Sequence, residues 1–167
     1  TMKKQIWVPV LILLGFFLSM PIAGMVYLEV IQTDGRAEAE IIRGYTRFLA
    51  GTGMPFLAMM TLGGAVLTGV NSFSWLHSRV KTDFYHSLPI RREKLFVNQV
   101  FLGIAYYVVP YLLNLVLAYV VGMVHGIFRG NMVRLSLQSF LYQLLFYLMI
   151  YLVVVLAMLL TGKILLG

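Results

Sequence analysis

Very few side chains in this 167-residue chain could act as catalytic groups or metal ligands. It has no cysteine, so disulfides and thiolate metal sites are excluded. Its histidines, His77, His86 and His125, lack the His-Glu-x-x-His spacing of a zinc protease. No Gly-x-x-x-x-Gly-Lys-Ser/Thr loop for binding phosphate is present. The sequence therefore predicts no catalytic residue, no metal site and no cofactor in this chain.

Three uncharged polar side chains lie within long apolar stretches and are candidates for a substrate pathway. They are Asn114, Gln138 and Gln143. An amide inside a membrane needs hydrogen-bonding partners, and another helix commonly supplies them. Hydrogen bonding between helices is therefore our main interpretation of these residues, and contact with a transported molecule is the alternative.

Four charge-free stretches dominate the sequence: Gln5–Leu28, Phe48–Ser78, Leu95–Phe128 and Leu135–Gly162. A bilayer core about 30 Å thick takes about 20 helical residues, so each stretch can cross it. The chain is 60% hydrophobic and 11% charged, whereas a soluble domain is about 25% charged. These features predict an all-α, polytopic helical bundle forming a single transmembrane domain, with spans at about 6–28, 48–72, 96–121 and 135–160.

The basic residues predict how these spans are oriented. Eight lie on the side of the N-terminus: Lys3, Lys4, Arg79, Lys81, Arg91, Arg92, Lys94 and Lys163. Five lie on the other side: Arg36, Arg43, Arg47, Arg129 and Arg134. The positive-inside rule then places the N-terminus in the cytoplasm, and the loop Gln32–Arg47 and the turn Gly122–Arg134 outside. The net charge of +7 is explained by topology, and no basic patch indicates nucleic-acid binding.

The cytoplasmic segment 73–95 has an amphipathic pattern. Apolar side chains recur every three or four residues, at Phe73, Leu76, Val80, Phe84 and Leu88. This is the spacing of one helical face. The proline at position 89 should end that helix and open the next one. One interpretation is a linker on the membrane surface; the other is a docking helix for a soluble partner, with aromatic anchors at positions 84 and 85.

The string from Lys81 to Phe96 resembles the cytoplasmic signature of type 2 ABC transporter permeases, the exporter family. The family pattern is Leu-Pro, a basic residue two or three positions later, an acidic residue and a hydrophobic helix start. The sequence KTDFYHSLPIRREKLF fits it and is similar to a subgroup common in Gram-positive bacteria. The Glu-Ala-Ala element of importer permeases does not precede this Leu-Pro, so the importer class is disfavoured.

The resemblance implies a permease subunit in the bacterial plasma membrane, with the segment between spans two and three as its coupling helix. The docking residues would be Asp83, Phe84, Tyr85, His86, Leu88, Pro89, Arg91, Arg92 and Glu93. Their partner would be an ABC ATP-binding subunit, which would carry the ATP and magnesium. A second permease domain, identical or different, would complete the transporter.

Two further expectations follow. Family domains usually have six spans, so we expect these four to be the N-terminal part of a longer permease. The alternative function is a membrane sensor or immunity-type protein that binds a peptide or lipid without transport. Such a protein would need no ATP-binding partner.

Overall fold

A computed structural model describes residues 7–51, 55–74 and 92–165, and these residues form helices without any strand. The elements are α1 (Trp7–Phe17), a π-helical turn (Leu18–Ile22), α2 (Ala23–Thr33), α3 (Glu38–Leu49), α4 (Pro55–Phe73), α5 (Arg92–Val124) and α6 (Gly130–Leu165). The prediction of an all-α chain is confirmed for this part of the sequence.

Within the residues that the structure describes, four helical stretches are long and apolar enough to cross a membrane, as predicted. Span 1 is Trp7–Thr33, span 2 is Phe56–Phe73, span 3 is Glu93–Val124 and span 4 is Gly130–Thr161. At 1.5 Å per residue, even the 18 residues of span 2 extend about 27 Å. The chain therefore has the architecture of a multi-pass membrane protein.

The segment that the sequence suggested as an outside loop, Gln32–Arg47, contains most of helix α3, and this expectation is corrected. Ile41, Tyr45, Phe48 and Leu49 have the spacing of one helical face and are all buried. Acidic residues occupy the first turn of α3 and Arg47 the last, which suits the helix dipole. Because α3 continues to Leu49, the second spanning helix begins at Pro55 and not near residue 48.

Span 1 is continuous although Pro21 lies within it. A proline removes one backbone hydrogen bond and its ring clashes with the preceding turn. Here the backbone widens into the π-helical turn, in which Ser19, Met20 and Pro21 are buried. The Ser19 hydroxyl donates to the Phe16 carbonyl oxygen at 3.2 Å. Such turns accommodate a proline without breaking the helix.

The spans pack as two neighbouring pairs. Helix α4 lies along α6, α1 lies along α5, and α4 also contacts α1 and α5. Helix α3 contacts α2 and α6 at one end of the bundle. At the other end, the rings of Phe73 and Phe96 lie 5.6 Å apart. The segment between spans 2 and 3 therefore starts and finishes at the end away from α3.

Candidate functional site between the spanning helices

The predicted docking residues are mostly outside the described part of the chain. Positions 83 to 91 fall there, so the expected coupling helix is not described. Arg92 is the first residue of α5, and Glu93 follows in its first turn with an exposed side chain. An acidic residue there interacts favourably with the positive end of the helix dipole.

The main polar feature of the bundle is a column of hydroxyl and amide groups between α4, α5 and α6, here called the tyrosine seam. Its members are Thr61, Thr68 and Ser72 on α4, Tyr107 and Tyr111 on α5, and Ser139, Gln143, Tyr147 and Tyr151 on α6. All are buried except Gln143, which is half-buried. Residues four, seven, eight or eleven apart share a helical face, which is why each helix presents its members together. None of the seam residues is charged.

Thr61, Tyr107 and Gln143 join the three helices through hydrogen bonds. The Thr61 hydroxyl donates to Gln143 Oε1 at 3.1 Å and lies 3.2 Å from the Tyr107 hydroxyl. It also lies 2.9 Å from the carbonyl oxygen of Leu57 in its own helix. These contacts place one residue of each of the three helices at the same level along the bundle. An amide with a partner of this kind is stabilised in a membrane.

The tyrosine rings of α5 and α6 stack on one another. Tyr107 and Tyr147 have ring centroids 4.0 Å apart at 16°. Tyr147 and Tyr151 are 5.6 Å apart at 9°. Phe16 of α1 meets Tyr107 and Tyr111 edge-on, at 5.5 and 5.2 Å. Aromatic pairs of this geometry are worth about 0.5–1.5 kcal/mol beyond the area that they bury.

The long side chains of Tyr147 and Tyr151 bridge the distance from α6 to the backbone of α5. The Tyr147 hydroxyl donates to the Gly103 carbonyl oxygen at 2.8 Å. The Tyr151 hydroxyl donates to the Gln99 carbonyl oxygen at 3.4 Å. Gly103 faces the Tyr151 ring directly, and Gly69 on α4 faces Val154. Glycines at these positions give the rings and side chains of α6 the space that they occupy.

Among the described residues, the buried hydroxyls of Ser72 and Tyr111 make no hydrogen bond of standard length and angle. They lie toward opposite ends of the seam. Each interacts with another hydroxyl of the seam, Tyr111 with Ser139 and Ser72 with Tyr151.

The three amides predicted from the sequence have three different environments. Gln143 belongs to the seam. Asn114 is buried, and its Nδ2 donates to the carbonyl oxygens of Pro110 at 2.8 Å and of Leu13 at 3.4 Å. Gln138 is exposed and donates to the Tyr142 hydroxyl, which is 3.3 Å away. Two of the three amides thus contact another spanning helix, and Gln138 contacts only its own.

Sequence reasoning missed the hydroxyl-bearing residues of the seam. The signals are present in the sequence: Tyr107 and Tyr111, like Tyr147 and Tyr151, are four residues apart. Such pairs always share a helical face. In a stretch that is apolar on every side, however, nothing in the pattern shows that this face is buried.

Helix α3 is fixed to the bundle at the end opposite Phe73 and Phe96. The buried Tyr45 hydroxyl donates to the Ala118 carbonyl oxygen at 2.7 Å. Burial raises the pKa of Tyr45 to about 12, so the hydroxyl stays protonated at neutral pH and remains a donor. Ser139 donates to the Ala50 carbonyl oxygen at 2.6 Å. An exposed ion pair joins Glu38 to Arg129 at 3.6 Å.

The described residues hold no group of three His, Asp or Glu side chains that could bind a metal ion. Comparison with protein-family models, curated proteins and solved structures gives no match.

Proposed function

We propose that this chain is the membrane-spanning permease subunit of an ATP-driven exporter whose ATP-binding subunit is a separate chain. The observation that carries the proposal is the string from Lys81 to Phe96, which resembles the coupling segment of type 2 ABC permeases. It joins span 2 to span 3, the connection in which that family carries its coupling helix. Charged, aromatic and proline residues are concentrated in this string.

The layout of the described helices supports the same proposal. The contact of Phe73 with Phe96 brings the ends of spans 2 and 3 together, so the segment that resembles a coupling helix connects two helix ends that lie close to each other. Lys94 and Ala118 are separated by 24 residues of α5, or about 36 Å. A partner bound to the segment would therefore be a full membrane thickness away from α3.

A rigid set of spans would transmit force from such a partner. The partner can bias two arrangements of the membrane domain only if it binds them with different affinities. The seam residues link α4, which leads into the segment, to α5, which follows it, and to α6. Movement of the segment would then shift three helices together.

The test is a double substitution at the aromatic anchors of the segment, Phe84→Ala with Tyr85→Ala. Aromatic anchors dominate interface energetics, so we expect the substituted chain to insert normally but to lose co-purification with the ATP-binding subunit. Stimulation of Mg-ATP hydrolysis in the purified complex should fall at least about tenfold, since two anchors are each worth at least about 1–2 kcal/mol.

A matched control replaces one phenylalanine and one tyrosine elsewhere, Phe101→Ala with Tyr142→Ala. Both side chains face outward from the bundle, with 67% and 64% of their surface exposed. This control should leave the complex and its ATPase activity unchanged. If the chain is captured from native membranes without an ATP-hydrolysing subunit, or if the anchor variant behaves like the control, the proposal fails. A partner-free peptide or lipid sensor would give the first of these results.

A further inference from the structure

One side of helix α6 faces away from the bundle along almost its whole length. Its residues are three or four positions apart, so they share one helical face. All of their side chains are exposed, and the seam residues of α6 lie on the opposite side of the helix. This face, here called the exposed strip, comprises Asn131, Arg134, Gln138, Tyr142, Leu145, Met149, Val153, Leu156 and Leu160. In a membrane it would be open to lipid.

The exposed strip changes from polar to apolar along its length. Its residues up to Tyr142 are polar, and those from Leu145 to Leu160 are apolar. From Arg134 to Met149 the strip extends about 22 Å along the helix axis. Half of a bilayer, including its headgroup region, is about 20–22 Å thick. The strip therefore matches one lipid leaflet in length and in its change of polarity.

The polar part of the strip carries a positive charge that the described residues do not neutralise. Arg36 and Arg129, at the same end of the bundle, form ion pairs with Asp34 and Glu38. Arg134 has no such partner within the described ranges, and α6 contains no acidic residue. Its planar guanidinium can donate two parallel hydrogen bonds to a phosphate group. The charge of the strip therefore complements an anion.

The polar groups below Arg134 are also hydrogen-bond donors. Gln138 Nε2 donates to the Tyr142 hydroxyl at 3.3 Å, which leaves one amide hydrogen and the hydroxyl hydrogen for other acceptors. The two residues lie about 6 and 12 Å from Arg134 along the axis, inside the charge-free stretch that begins at Leu135. Donors without acceptors are costly in hydrocarbon. The ester and phosphate oxygens of a phospholipid only accept hydrogen bonds and would satisfy them.

We propose that the exposed strip of α6 binds an anionic phospholipid. Its phosphate pairs with Arg134, and its ester oxygens accept hydrogen bonds from Gln138 and Tyr142. Its acyl chain lies along Leu145 and Met149. A free anion would leave the apolar part of the strip unused, whereas a phospholipid matches both parts. The site needs no ATP-binding partner, so this inference is independent of the proposed export.

Quenching of tryptophan fluorescence by lipids with brominated acyl chains tests the site. The chain has two tryptophans, which Trp7→Phe and Trp75→Phe remove, and Leu145→Trp places a reporter on the strip, where 64% of the leucine is exposed. The protein is reconstituted in mixed vesicles of phosphatidylcholine and phosphatidylglycerol, with one or the other lipid brominated. We expect phosphatidylglycerol to bind about fivefold more strongly at this reporter, the effect of one basic residue on an anionic lipid.

Val109→Trp in the same background is the matched control reporter. Val109 is 54% exposed and lies as many residues before the end of α5 as Leu145 lies after the start of α6. The exposed side chains around Val116 on α5 are apolar, so this reporter should show no preference between the two lipids. Arg134→Gln should abolish the preference at Leu145→Trp, and Arg134→Lys should retain part of it because the charge is kept.

Four outcomes would overturn the lipid site. The first is an equal preference at the two reporters, which would reflect an unselective lipid shell or the net charge of the chain. The second is a preference that survives Arg134→Gln. The third is a loss of quenching by both lipids at Leu145→Trp alone, which would mean that a protein surface, such as a second copy of the chain, covers the strip. The fourth is a preference that disappears when inorganic phosphate replaces chloride at equal ionic strength, which would indicate a site for free anions.

Discussion

Gly103 of α5 lies directly against the Tyr151 ring of α6. A Cβ at this position would overlap the ring and lie 2.9 Å from Tyr151 Cε2. The ring is fully buried and stacked on Tyr147, so it has no space to move into. We therefore expect Gly103→Ala to destabilise the protein by about 1–3 kcal/mol, as overpacked cores do. Unfolding by SDS in mixed micelles would measure this.

Gly63 on α4 is the control for this substitution. A Cβ at Gly63 would meet nothing within 4 Å, so Gly63→Ala adds a methyl group without a clash. Alanine also favours a helix over glycine by up to about 1 kcal/mol. The two substitutions should thus change stability in opposite directions. If both proved neutral, the contact of the Tyr151 ring with the α5 backbone would be wrong.

The sequence predicted which residues could form hydrogen bonds between helices better than it predicted which way their side chains point. It identified Asn114 and Gln143 as amides that contact other helices, which they do. It grouped Gln138 with them, although Gln138 faces outward. Side-chain direction in a spanning helix cannot be derived from hydropathy when apolar residues surround the whole helix, because the usual contrast between a wet and a dry face is missing.

At the scale of elements, the spanning helices could be predicted from the sequence, whereas helix α3 and the π-helical turn could not. Length and the absence of charge were enough to identify four spanning helices. Helix α3 is not evident from hydropathy, because its charged residues, Glu38, Glu40, Arg43 and Arg47, interrupt the apolar pattern. The π-helical turn was not predicted either, since a proline in a spanning helix can be accommodated by a kink as well as by a turn.

The hydrogen bonds of the seam make a prediction about how α4 and α6 hold together. Gln143→Leu removes the acceptor of the Thr61 hydroxyl and should destabilise the bundle by about 0.6–1.7 kcal/mol, the range for such bonds in membranes. Thr61→Val should cost a similar amount. The double variant should cost less than the sum, because both substitutions remove the same hydrogen bond. An SDS unfolding series on all four proteins would measure the coupling.

Gln138→Leu is the matched control, the same substitution on the outward face of the same helix. Gln138 bonds only within α6, so its replacement should change stability by less than about 0.5 kcal/mol. If Gln138→Leu and Gln143→Leu had equal effects, the seam would not be what joins these helices.

At the scale of the whole molecule, the bundle has two ends that differ in charge and structure. One end carries α3 and the turn between spans 3 and 4, which are tied together by Glu38 and Arg129. The other end is where Phe73 and Phe96 meet and where the segment 75–91 connects spans 2 and 3. The connections after spans 1 and 3 thus lie at one end, and the connection after span 2 starts and finishes at the other. This arrangement agrees with spans that alternate in direction.

Orientation in the membrane follows from the basic residues. In the sequence, eight basic residues flank the spans on the side of the N-terminus and five flank them on the side of α3. We therefore expect α3 outside and Lys94 inside the cell. Single cysteines at Glu40 and Lys94, both exposed, would report this in the otherwise cysteine-free chain. An impermeant thiol reagent should label Glu40→Cys in intact cells and Lys94→Cys only after the membrane is permeabilised.

The reverse labelling pattern would have a clear consequence. The segment from Lys81 to Phe96 would then face away from cytoplasmic ATP, and no ATP-binding subunit could reach it. The exporter would be excluded, whereas the tyrosine seam and the packing of α3 against the bundle would stand, because both depend only on contacts within the bundle. A measurement of orientation is therefore the most direct test of the proposed function, and its result leaves the description of the fold unchanged.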